Sequence, residues 1–128
     1  MRLAALILCD AANIVNDGRF NLLGGGITQV RAMQYPATGR LTVVARIEVL
    51  PTEVGIHRIG LRLTNADGRD VIPPVEGTAN VETGVRFLNI ALAMENIPYA
   101  APGIYSLQVL LDGEDRDSAP IEAVLAQA

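Results

Sequence analysis

Apolar and polar residues alternate along most of this chain with a period of two, and short clusters of Gly, Pro, Asp and Asn interrupt the alternation. A period of two sends successive side chains to opposite faces of an extended strand. The clearest run is Arg40 to Leu50, with Leu41, Val43, Ala45, Ile47 and Val49 on one face and Thr42, Arg46 and Glu48 on the other. Ile56 to Thr64 repeats the pattern, with Ile59, Leu61 and Leu63 inward, Arg58, Gly60 and Arg62 outward, and His57 on the inward parity. Val85 to Met94 aligns Leu88, Ile90, Leu92 and Met94, and Ile104 to Asp112 aligns Tyr105, Leu107, Val109 and Leu111. Arg2 to Cys9 is apolar at nearly every position, the pattern of a strand covered on both faces. No segment sustains a 3.6-residue stripe over about twelve residues, so no long helix is expected.

The interruptions predict the connections. Asp10 to Val15 reads as a short turn and Asn16-Asp17-Gly18 as a tight one, because Asn and Gly tolerate positive φ. Arg19 to Leu23 returns as a strand, Gly24-Gly25-Gly26 interrupts it, and Ile27 to Arg31 resumes. Pro51 to Gly55 and Asn65 to Gly68 are connections; Arg69 to Ile72 is a short strand stopped by Pro73-Pro74; Val75 to Gly84 is polar and loop-like. Gly113 to Asp117 is an acidic turn, and Ser118 to Leu125 closes the chain. Pairing Arg40–Leu50 with Ile56–Thr64 as a simple antiparallel hairpin sets Glu48 opposite Arg58, a contact worth about 0.2–1 kcal/mol.

About eight strands with turns between them predict an all-β fold: one domain, residues 1–128, built as an antiparallel β-sandwich. Pro102-Gly103-Ile104-Tyr105, then alternating Leu107 and Val109, then Asp112-Gly113, resembles the penultimate hairpin of immunoglobulin-like sandwiches, without the Cys–Trp–Cys set of antibody domains.

The chain also carries a family resemblance. Leu8-Cys9-Asp10-Ala11-Ala12, followed by Asp17-Gly18-Arg19-Phe20-Asn21-Leu22-Leu23-Gly24-Gly25-Gly26, resembles the opening of a family of small bacterial proteins of unknown function. Asn65-Ala66-Asp67-Gly68, Pro102-Gly103-x-Tyr105 and Leu111-Asp112-Gly113 match its later part. The chain departs at Arg19, where Lys is common, and at Thr28, where an aromatic often sits. The resemblance implies a compact bacterial β protein and no catalytic residue.

Composition narrows the function. Half of the residues are hydrophobic but only 4% are aromatic and none is Trp, which argues against a carbohydrate-binding surface. The net charge is −4 and all ten basic residues are Arg, so there is no basic surplus for nucleic acid and no Lys for a Walker-type phosphate site. Cys9 is the single cysteine, which excludes an intramolecular disulfide and fits a cytoplasmic protein in a reducing cytosol. Leu3 to Leu8 is shorter than a signal-peptide core, and no run reaches the roughly eighteen apolar residues of a membrane span.

Candidate chemistry is sparse. Cys9 and His57 are the only pair available for a thiol nucleophile and its base, with no third orienting group, so no enzyme is expected and no cofactor is assigned. Zinc would need more Cys and His ligands. The acidic run Asp112-Gly113-Glu114-Asp115-Arg116-Asp117 lacks the oxygen spacing of an EF-hand and reads as a solvated tip, as does Asp67 to Asp70. Gly24–Gly26 reads as a bulge or bend, or else as a place where a ligand or another chain meets bare backbone. Arg58 and Arg62 share a face, with Arg46 a candidate third member. The aliphatic content exceeds what one small core should need, and Val85–Met94 is apolar on much of both faces. The expected function is therefore a non-catalytic protein-interaction or assembly module that self-associates; the alternative is a small-ligand or calcium module using loops near Gly24–Gly26 or Asp112–Asp117.

Overall fold

Alternating apolar side chains leave water when two sheets turn their apolar faces towards each other. The computed structural model of the chain describes residues 1–126 and does this with ten strands. They are β1 (Arg2–Cys9), β2 (Ala11–Ile14), β3 (Phe20–Leu23), β4 (Gln29–Ala32), β5 (Ala37–Glu48), β6 (Gly55–Thr64), β7 (Val75–Val81), β8 (Phe87–Tyr99), β9 (Gly103–Leu111) and β10 (Glu114–Leu125). The last two residues of the expected domain 1–128 lie outside the described residues. The described residues are all-β, with no helix.

A three-stranded sheet in the order β1-β5-β8 faces a five-stranded sheet in the order β4-β10-β9-β6-β7, and β2 and β3 form a separate ribbon. The core lies between the two larger sheets. Leu8, Leu41, Val43 and Ile47 enter it from one side, and Leu61, Leu63, Tyr105, Leu107, Val109, Leu111 and Ile121 from the other. These are the inward positions that the period of two predicts on β5, β6 and β9.

Several connections differ from their sequence reading. β5 and β6 do not form a hairpin: they belong to opposite sheets, so Glu48 does not oppose Arg58. Their apolar faces bury against each other across the core, which side-by-side pairing would not allow. Glu48 forms an ion pair with Arg2 instead, and Arg46 stacks on the Phe87 ring, 4.0 Å from its centroid, away from Arg58 and Arg62. Ten strands replace about eight, because two segments read as irregular are strands. Ala11–Ile14 pairs with Phe20–Leu23, and Val75–Val81 pairs with β6. In β7 the residues on the inward parity between Val75 and buried Val81 are the small Gly77 and Ala79, which is why its alternation is faint. Arg69–Ile72 contributes only an isolated bridge from Asp70 to Thr64. The sheets are also not wholly antiparallel, since β4 runs parallel to β10 from Gln29↔Glu122 to Ala32↔Leu125.

The ribbon explains why β5 is buried on both faces. Ala12 pairs with Leu22 and Ile14 with Phe20, so these four share a face, and β2 packs on β5 and β8. The ribbon tip is fixed by Asn89, whose Nδ2 donates to the Gly18 carbonyl at 2.6 Å. Under this cover Val44 is 1% exposed. Much of the aliphatic excess is thus covered by the chain itself.

Candidate functional site

The triglycine serves the fold. Gly24 has φ +62°, where side chains are strained, and a Cβ there would lie 2.1 Å from an Asp10 carboxylate oxygen, which would have to swing away. The Gly26 and Ile27 N–H groups then both donate to the Leu8 carbonyl on β1, and the Glu122 N–H of β10 donates to the Thr28 carbonyl. Residues 24–28 therefore carry the chain from the ribbon into the five-stranded sheet and tie β1 to β10 on the way. Gly24–Gly26 has a structural task that its bare backbone already meets.

The acidic run is likewise occupied. Its turn is only Asp112-Gly113, with φ +53° and +81°, the signature of a two-residue type I′ hairpin. Glu114 to Asp117 already belong to β10, so the run does not form the acidic turn Gly113–Asp117 read from sequence. Strand alternation then splits its carboxylates between faces. Arg116 pairs with Glu114 at 2.9 Å. Asp112 Oδ1 accepts the Arg58 N–H at 2.9 Å, and Oδ2 meets His57 Nδ1 at 2.8 Å. Asp70 pairs with Arg62 at 3.1 Å. Among the described residues, no three His, Cys, Asp or Glu side chains gather into a group able to hold a metal ion.

His57 takes part in a polar clasp that the sequence does not reveal. Its Nε2 meets the Glu53 carbonyl at 2.7 Å, and Glu53 also forms an ion pair with the Met1 amine and accepts the Leu50 N–H. Both ring nitrogens face acceptors. A neutral imidazole donates from one nitrogen only, so the geometry asks for the imidazolium. The Asp112 carboxylate, with the Glu53 carbonyl behind it, accordingly raises the His57 pKa above its ordinary value. In return, His57 and the Arg58 N–H lower that of Asp112, and the Met1 ammonium is the largest influence lowering that of Glu53.

Cys9 stands elsewhere. Its side chain is buried, and its Sγ lies 3.5 Å from the Ala11 and Thr42 carbonyls. Burial pushes the thiol pKa up, the opposite of what a nucleophile needs. β1 separates Cys9 from the Met1 end, where the clasp lies, by roughly 20–25 Å at the usual rise per residue. The structure does not bring Cys9 and His57 together.

What remains open is the flank between β7 and β8. The three-stranded sheet is about 10 Å narrower than its five-stranded partner at the usual strand spacing. The shortfall appears as an apolar cleft of about 280 Å³ lined by Val43, Ile59, Leu61, Ile90, Leu92 and Val109, among others. Ile90 and Leu92 point towards the core yet remain half-buried. β8 pairs only with β5, so its other edge has no strand beside it among the described residues. The signal for this edge is present in the sequence but easily passed over. Phe87 to Met94 contains no charge and no proline, the two devices that usually blunt an exposed edge.

No helix among the described residues is long and apolar enough to cross a membrane. Residues 4–124 match the model of a family of unknown function (DUF6941). Neither a curated protein nor a solved structure matches the chain.

Proposed function

The chain belongs to this family of unknown function, and from that premise we propose that it is a non-catalytic protein-interaction module that self-associates through its open flank. One observation carries the reading: the apolar cleft and an unpaired β8 edge that is uncharged from Phe87 to Met94 occur together, where the narrower sheet falls short. An edge of this kind is a template for another strand, and half-buried Ile90 and Leu92 gain from being covered. A non-catalytic role is supported by the state of the only Cys and His: the thiol is buried, and both imidazole nitrogens are engaged.

Two finer readings accompany it. The immunoglobulin-like sandwich is supported by Tyr105, whose hydroxyl donates to the Ala101 carbonyl four residues upstream at 2.7 Å, the contact of a tyrosine corner. A single buried thiol suits a bacterial cytoplasmic protein. Sedimentation equilibrium tests the functional reading. The expected result is a mass of twice 13.6 kDa that falls towards 13.6 kDa on dilution. A constant 13.6 kDa mass at concentrations of several hundred micromolar overturns it.

A further inference from the structure

Resting on the self-association reading, we infer that the partner on the open flank is a second copy of this chain, joined β8 to β8, antiparallel, about a two-fold axis at Ala91.

The pairing follows from which backbone groups are free. The Val49 N–H donates to the Arg86 carbonyl, which sets the phase of the β5–β8 ladder. Hydrogen-bonded pairs in an antiparallel ladder recur every second residue. With the observed register, Leu88, Ile90, Leu92 and Met94 turn their N–H and C=O groups towards β5. Those of Phe87, Asn89, Ala91 and Ala93 therefore point to the open edge. A second β8 related by a two-fold axis at Ala91 pairs Ala91 with itself and Asn89 with Ala93, matching free groups with free groups. It sets Ile90 beside Leu92 on the core side and extends each three-stranded sheet across the cleft.

Three features of the edge favour this occupant. The strand is self-complementary, because a two-fold axis places no charge against a like charge between Phe87 and Met94. The irregularity that would stop pairing lies beyond that run, at Asn96, with φ +53°. The charges at its end also match. The same register sets Glu95 of one copy opposite Phe87 of the other, and the Arg46 guanidinium lies over that ring. Glu95 is exposed, and neither it nor Arg46 takes part in an ion pair among the described residues. The other exposed edge on this flank, β7, carries Glu76 and offers no such match.

The test uses charge at the axis. In Ala91→Lys and in Ala91→Glu, like charges face each other across the two-fold, so each variant alone should dimerise at least about tenfold more weakly than the wild type. A one-to-one mixture of the two should recover a dimer, which a merely structural defect would not do. Circular dichroism of each variant checks that it is folded. If either variant is not, Ala91→Cys takes its place, since two such cysteines sit at a self-paired position and should form an intermolecular disulfide under mild oxidation. A Thr78→Cys control on β7 should not. A wild-type dimer that neither recovers in the mixture nor cross-links through Ala91→Cys overturns β8 pairing but leaves self-association standing. A wild-type monomer overturns both.

Discussion

On the flank formed by β1, β4 and β10 the chain runs from the ribbon into the five-stranded sheet and hydrogen-bonds to an edge strand of each larger sheet. On the flank formed by β7 and β8 the chain also passes between the sheets, through residues 82–86, but among the described residues no strand pairs with the outer edge of β8. The first flank is closed by Gly26 and Ile27 on Leu8 and by Thr28 on Glu122, and behind it Ile121 and Leu8 are buried. The second is left with inward-facing Ile90 and Leu92 half in water beside a cleft of about 280 Å³. The same alternation of apolar residues builds both flanks. The difference between them lies in backbone hydrogen bonding: one edge has its partners within the chain, and the other does not.

This contrast predicts unequal costs for similar losses. Ile121→Ala on the closed flank removes a fully buried side chain and should cost about 3–4 kcal/mol in urea unfolding, whereas Ile90→Ala should cost the monomer only about 1–2 kcal/mol. Equal costs would mean that the open flank is packed as well as the closed one. Gly24→Ala strikes the connection on the closed flank. A left-handed backbone and the contact with Asp10 should together cost about 2–3 kcal/mol, seen as a lower urea midpoint with an unchanged slope.

The fold was legible where one residue type dominated a face. β5, β6 and β9 follow directly from alternating Leu, Ile and Val, because burial of those side chains decides the strand. β7 was not legible, since between Val75 and Val81 its inward face holds only Gly77 and Ala79, which carry too little apolar surface to continue the pattern. Sheet membership was legible least. The segment between β5 and β6 is short enough for a hairpin, but burial of their apolar faces across the core places them in opposite sheets. The candidate site was half legible: the excess of aliphatic residues on Val85–Met94 could be read, but not the ribbon that covers one face of it. The His57 clasp joins residues 55 positions apart, and no local pattern announces it.

No residue of the clasp lines the cleft, and the clasp supplies a smaller effect. A raised pKa means that the His57 contribution is fully present below the ordinary value of about 6.5 and is lost as pH rises through the elevated one. His57→Ala should therefore lower stability by about 1–2 kcal/mol at pH 6 and by less at pH 9, with the dimerisation constant unchanged. Thermal melts at the two pH values check the first part, and sedimentation checks the second. The smallest effect is expected at Tyr99, buried edge-on against Tyr105 with its ring centroid 5.0 Å away. Its hydroxyl has no hydrogen-bond partner among the described residues, and burial pushes its pKa up to about 12. Tyr99→Phe should be neutral or stabilising by up to about 1 kcal/mol, in contrast to Tyr105→Phe, which loses the bond to Ala101 and should cost about 1 kcal/mol.

The most direct measurement of the open flank is amide hydrogen exchange along β8 at two protein concentrations. The backbone phase predicts that Asn89, Ala91 and Ala93 exchange quickly when the protein is dilute and slow strongly when it is concentrated. Ile90 and Leu92, bonded to β5, should remain protected at both concentrations. Exchange at Asn89, Ala91 and Ala93 that stays equally fast at high concentration, with no change along the edge, would contradict the account.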